Sequence, residues 1–170
     1  MFTENIIVEF AWRRALPWAA LLSLPVAAWV YVTYGLTLLG LGWLVFGIGL
    51  VLLALIDAET KFLPDLFTLP LMWLGVVMQL FDATRTVGLE ASVWGILIGY
   101  LPLWLLAHLY ILIRQREGLG MGDLKLLAAM GAWSGPAIIP VVIFMSSLMA
   151  IAGVLAVRWF SSNKNSLARS

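Results

Sequence analysis

Between Leu36 and Ile56 the chain runs for 21 residues without one charged side chain. About 20 apolar residues wound as a helix cross the ~30 Å hydrocarbon core of a bilayer, and a helix satisfies its own backbone polar groups, as lipid requires. Comparable runs recur from about Ala15 to Tyr34, Asp65 to Phe81, Ala91 to Ile113 and Ala137 to Phe160. Pro17 is expected in the first turn of the first run, where proline is tolerated, and Pro70 is expected to kink the third. The stretch Leu124 to Trp133 is too short to span alone at ~1.5 Å per residue, and Ser134-Gly135-Pro136 interrupts it. The sequence therefore predicts an all-α, polytopic membrane protein with about six helical passes, the fifth short or only partly crossing.

Composition agrees, at 63% hydrophobic and 11% charged residues with a mean hydropathy of +1.02. Soluble domains carry about a quarter charged residues. The first run is too long for a signal-peptide core, and Glu4 and Glu9 occupy what would be its basic leader, so it reads as a retained span. Residues 1–170 are expected to form one transmembrane domain, with a short stretch before residue 15 and a polar tail after residue 160. The absence of cysteine excludes disulfides, thiolate zinc sites and cysteine nucleophiles. The single histidine, His108, excludes a multi-histidine metal site, so no metal is expected. A net charge of +1 leaves no nucleic-acid footprint. Oligomeric state is not specified by the sequence.

Basic residues set the orientation. With both ends cytoplasmic, nine of them (Arg13, Arg14, Lys61, Arg114, Arg116, Lys125, Arg158, Lys164 and Arg169) fall inside and Arg85 alone outside. This is the positive-inside pattern. It brings the turn at Asp57 and the loop Gly118-Leu119-Gly120-Met121-Gly122-Asp123-Leu124-Lys125 to one membrane face.

Acidic side chains near a bilayer are unfavourable by roughly 2.5–3.5 kcal/mol on insertion scales, so Asp57 and Asp123 stand out. Asp57 is expected just after a helix, where the macrodipole raises a carboxyl's pKa. Asp123 is expected just before one, where the dipole lowers it and aspartate is a favoured N-cap. Burial and mutual repulsion would let such a pair share one proton, one carboxylate activating water while the other polarises a carbonyl. The alternating glycines Gly118, Gly120 and Gly122 suit positive φ or close approach of another chain. Asp65, after Pro64, reads as a helix-start acid, and Glu59 and Lys61 as solvated turn residues, with Lys61 also able to meet lipid phosphate or substrate. Lys125 reads as a snorkelling side chain, His108 as an imidazole bonded to nearby backbone, and the tryptophans mostly as an interfacial belt.

The segment Asp57-Ala58-Glu59-Thr60-Lys61-Phe62-Leu63-Pro64-Asp65-Leu66-Phe67-Thr68-Leu69-Pro70-Leu71 resembles the first motif of the type IV prepilin peptidases. Gly118 to Leu127, followed by Gly131-Ala132-Trp133, resembles their second, the G-x-G-D signature of intramembrane aspartyl proteases. The likeness extends from about Leu36 to the final span and includes Gly99-Tyr100 and Trp104. It implies that Asp57 and Asp123 form the catalytic pair of a bacterial inner-membrane endopeptidase. Such an enzyme cuts the leader from type IV prepilins or type II secretion pseudopilins at the cytoplasmic face, with the substrate's apolar helix in the bilayer. Longer members carry a further N-terminal region with paired cysteines, implicated in methylating the product with S-adenosylmethionine. The chain resembles a compact form without it, so that cofactor is expected only if methyl transfer is retained, and none for proteolysis. Competing readings are a G-x-G-D protease for other substrates, a small transporter, and a non-catalytic pilus-assembly protein.

Overall fold

The computed structural model describes residues 2–61, 63–81, 83–115 and 120–167, with side chains between 17 and 159. Six helices and no strand occur among them: α1 (Phe2–Tyr34), α2 (Leu38–Thr60), α3 (Asp65–Met78), α4 (Leu89–Arg114), α5 (Met121–Ser134) and α6 (Ile138–Leu167). All six lie where the apolar runs predict them. Four segments are long and apolar enough to cross a membrane: Pro17–Tyr34, Leu38–Thr60, Leu89–Arg114 and Ile138–Trp159. The protein is thus an all-α polytopic membrane protein, and its short helices are two, α3 as well as α5, each of 14 residues. A second departure concerns α1, which begins at Phe2, so Pro17 and Pro25 are interior. Proline inside a membrane helix is accommodated because local adjustment re-satisfies the few groups it frees.

The turns follow local chemistry. Thr37 caps α2, its Oγ1 accepting from the Gly40 amide at 3.1 Å. Lys61 and Gln115 end α2 and α4 in the left-handed conformation.

α5 is the centre of the bundle. It crosses α4 and α3 closely, α1 pairs with α2, and α6 touches α4 and α5 only sparsely. Leu124, Leu127, Ala128, Ala129, Gly131, Ala132 and Trp133 of α5 are buried. Trp133 does not belong to an interfacial belt: it is fully buried, stacks on Phe46 at 4.7 Å between ring centroids, and donates from Nε1 to the Leu71 carbonyl at 2.8 Å. The outer faces are apolar, aliphatic and aromatic side chains together.

The last carbonyls of a helix have no partner within it. The Ser92 hydroxyl donates to Ala132 O at 2.7 Å, and Thr86 donates to Trp133 O at 3.2 Å. Buried Gln79 holds that loop, its Oε1 accepting from the amides of Thr86, Val87 and Gly88 at 3.0, 3.2 and 3.3 Å. This polar plug fixes the end of α5 remote from Asp123.

Candidate active site

Asp57 lies in the last turn of α2 rather than after it. The helix runs one turn further than its apolar stretch, with Thr60 Oγ1 donating to Ile56 O at 2.8 Å, and it stops where the Lys61 amide closes on Asp57 O at 2.8 Å. The Asp57 side chain is half-buried behind fully buried Ile56. Leu63 and Pro64 are buried, Pro64 taking the N-cap position and Asp65 opening α3 as the sequence predicts.

On α5, Gly120 occupies the N-cap without a side-chain bond, so Asp123 is the third helical residue and not the cap. Its carboxylate folds back over Gly120, with Oδ2 3.4 Å from where a Cβ on that glycine would sit. Gly120 has φ −69°, so no positive φ is needed there. Gly122 is required for close approach instead, since a Cβ would come within 2.6 Å of Leu63 Cβ. The segment leading into α3 and the first turn of α5 therefore touch directly. Gly118 lies outside the described residues.

The same junction carries an ion pair. Lys125 Nζ donates to both oxygens of Asp65 at 2.6 Å. Lys125 thus does not snorkel freely, and Asp65 does more than open a helix: 60 residues apart, they tie α3 to α5. Glu59 and Lys61 are exposed turn residues, as expected. His108 donates from Nδ1 to Trp104 O at 3.0 Å along α4 and packs at a tilt against the Trp104 ring. Among the described residues no group of side chains could hold a metal ion.

The Asp123 carboxyl sits at the polar end of short α5, outside the four spans. Burial pushes it upward from its ordinary value, and the nearby Asp57 carboxylate adds in the same direction. This reverses the downward shift expected from the helix dipole. One side of Asp123 still faces solvent, but the protein behind it removes enough water for desolvation to outweigh a dipole effect of some tenths of a kcal/mol. The two acids are therefore electrostatic neighbours.

Ordered as helix end, proline-opened helix and glycine-led helix start, this arrangement coincides with a family match over residues 44–155, to the type IV leader peptidase family. The chain belongs to that family. Among proteins similar to this leader peptidase family member is the prepilin leader peptidase/N-methyltransferase of Neisseria gonorrhoeae, 43% identical over 125 residues, or 74% of this chain and 43% of that protein. The Dickeya chrysanthemi protein of the same name is 48% identical over 121 residues (71% and 41%). The Pseudomonas putida one is 41% identical over 142 residues (82% and 46%). The chain thus spans less than half the length of these curated relatives. No solved structure matches it.

Proposed function

We propose that this family member is a membrane-embedded aspartic endopeptidase that removes the leader peptide from type IV prepilins or type II secretion pseudopilins. Asp57 and Asp123 are its dyad. The observation that carries this reading is the upward-shifted Asp123 carboxyl beside Asp57, at the junction of two helix ends within the family-matched segment. A raised pKa marks Asp123 as the protonated member and leaves Asp57 as the base. In this reading Asp57 takes a proton from water as its oxygen attacks the scissile carbonyl carbon, while Asp123 donates to the carbonyl oxygen. The tetrahedral diol then collapses: Asp57 passes its proton to the leaving nitrogen as the C–N bond breaks, a diol hydroxyl returns its proton to Asp123 as the C=O re-forms, and the leader departs as a carboxylic acid with the dyad restored. Both proton carriers are side chains, so peptide cleavage needs no cofactor. The nine-to-one distribution of basic residues supports a cytoplasmic site in the bacterial inner membrane.

The direct test is incubation of the purified chain with a prepilin: a leader-length shift on a gel supports the reading, and an uncut substrate in active lipid defeats it. The pH profile tests the proton assignment. Asp123 has a folded-state pKa above its ordinary 3.8, so its proton is held through that value and lost as pH rises through the shifted one. The rate is expected to fall tenfold per pH unit on an alkaline limb set by that loss. A rate that keeps rising with pH would show Asp123 acting as the base.

The Asp65–Lys125 pair is read as a positioning device, because Lys125 is two residues from Asp123 and Asp65 opens the helix after Asp57. Asp65→Asn and Lys125→Met are each expected to lower kcat several-fold at unchanged KM, and the double variant to be little worse than either. Coupling of roughly 0.5–1 kcal/mol in stability suits a half-exposed pair. Strictly additive losses would remove the pair from this role.

A further inference from the structure

Apolar clefts open on the outer surface of the bundle among the described residues, and three of them matter here. One lies between α1 and α2, beside Trp29 and Val51, and another between α2 and α3, beside Gly49 and Leu74. Neither has a titratable side chain in its wall. The third, about 390 Å³, lies between α4, α5 and α6, and Asp123 forms part of its wall. On α5 the lining residues Asp123, Leu126 and Met130 are spaced three and four apart, which places them on one helix face. That stripe runs about 10 Å away from the carboxylate at ~1.5 Å per residue. Leu103 of α4 and Ile143 and Ser146 of α6 face it.

We propose that this cleft receives the apolar segment of the substrate on the mature side of the scissile bond, one helical face at a time, and that Met130 and Ile143 select it. The inference rests on the peptidase reading above and adds to it where the substrate lies. Three observations point to this occupant. The cleft is continuous with the reacting carboxyl, so a chain lying in it delivers a backbone carbonyl to Asp123 at one end. Its remaining wall is aliphatic apart from Ser146, whose hydroxyl is already donated to Ile143 O at 3.0 Å, which matches apolar side chains. Its volume is within the roughly 300–1,000 Å³ range of ligand pockets but below that of a whole ~10 Å-wide helix. The substrate therefore lays one face against α5 and leaves the other in lipid. Sparse contact between α6 and its neighbours lets that wall yield laterally, so entry needs no passage through water. A lipid acyl chain would suit the wall but brings no group for Asp123 to act on.

The natural absence of cysteine makes a clean test available. In the Asp57→Asn background, Ser146→Cys and Val51→Cys are offered a synthetic peptide of basic leader, glycine and about twenty apolar residues, with one cysteine in the first turns of the apolar part. A disulfide is expected with Ser146→Cys and not with Val51→Cys. In the otherwise unaltered protein, Ile143→Trp is expected to raise KM for that peptide roughly tenfold or more with kcat nearly unchanged. Val141→Trp is expected to behave as the parent, because Val141 is exposed on α6 and outside the cleft wall. Cross-linking at Val51, cross-linking at neither position, or equal effects of the two tryptophans each overturn the inference. The readouts separate the two claims: cross-linking at Ser146 by a chain whose unaltered form never cuts the peptide upholds the cleft and defeats the peptidase reading.

Discussion

Asp57→Asn and Asp123→Asn are each expected to reduce prepilin cleavage roughly a thousandfold or more, the loss associated with removing a general acid or base that works as part of a unit. Because the two carboxyls share one proton in this mechanism, the double variant should be no slower than the worse single one. Stability should respond differently. In the folded chain an ionised Asp123 is partly desolvated and beside Asp57, whereas in the unfolded chain it is neither. Above the shifted pKa the native state therefore carries a penalty that the unfolded state lacks, and asparagine removes it. Asp123→Asn is expected to melt at or above the parent temperature at neutral pH while failing to cut. A variant that loses activity and thermal stability together would point to a structural role. Cleavage near the parent rate by either single variant would end the dyad.

The second large effect is expected at the crossing of α4 and α5. A Cβ on Gly95 would overlap the backbone carbonyl of Gly131, and one on Gly131 would overlap that of Gly95. Small residues at such crossings let membrane helices approach closely enough for backbone contact. Overpacking a core costs about 1–3 kcal/mol when side chains can give way; here the obstruction is backbone, so the cost lies at or above the top of that range. Gly131→Val is expected to lose most of the folded protein in detergent and to abolish cleavage, since α5 carries Asp123. Gly153→Val on α6 supplies the control, because its added carbons would meet nothing within 4 Å of the first one. Similar melting of the two variants would show that the crossing tolerates separation.

Much of this was legible in sequence because it depends on local pattern. Charge-free runs fix the number of helices, and Pro64-Asp65 marks the start of α3 whatever its surroundings. The two acids were legible as a pair because both fall at helix ends on the side rich in lysine and arginine. What failed depends on contacts between distant segments. The direction of the Asp123 shift could not be read from the helix dipole alone, since burial by neighbouring elements outweighs it. The Asp65–Lys125 pair joins different helices and has no sequence spacing to betray it. Trp133 has the composition of an interfacial residue, and only the packing of Phe46 and the Leu71 carbonyl around it reveals a buried one. Gln79 and Thr86 gave no signal, being polar residues in a loop. The face Asp123, Leu126, Met130 was readable from its spacing, had the helix been known to start at Met121.

The brevity of α3 has a consequence for the surrounding lipid. Fourteen residues measure about 21 Å along the axis, against a hydrocarbon core of about 30 Å. Its outward side chains Leu66, Trp73 and Val77 are exposed, so acyl chains meet this short wall directly. A bilayer facing such a mismatch thins locally, at fractions of a kcal/mol per Å. Headgroups and water then dip toward the protein on the α3 side. Under the proposed reading, water entering on this side has less vertical travel to the junction of α3 with the first turn of α5, where Gly122 meets Leu63, so the bilayer itself contributes to delivering the water that cleavage consumes.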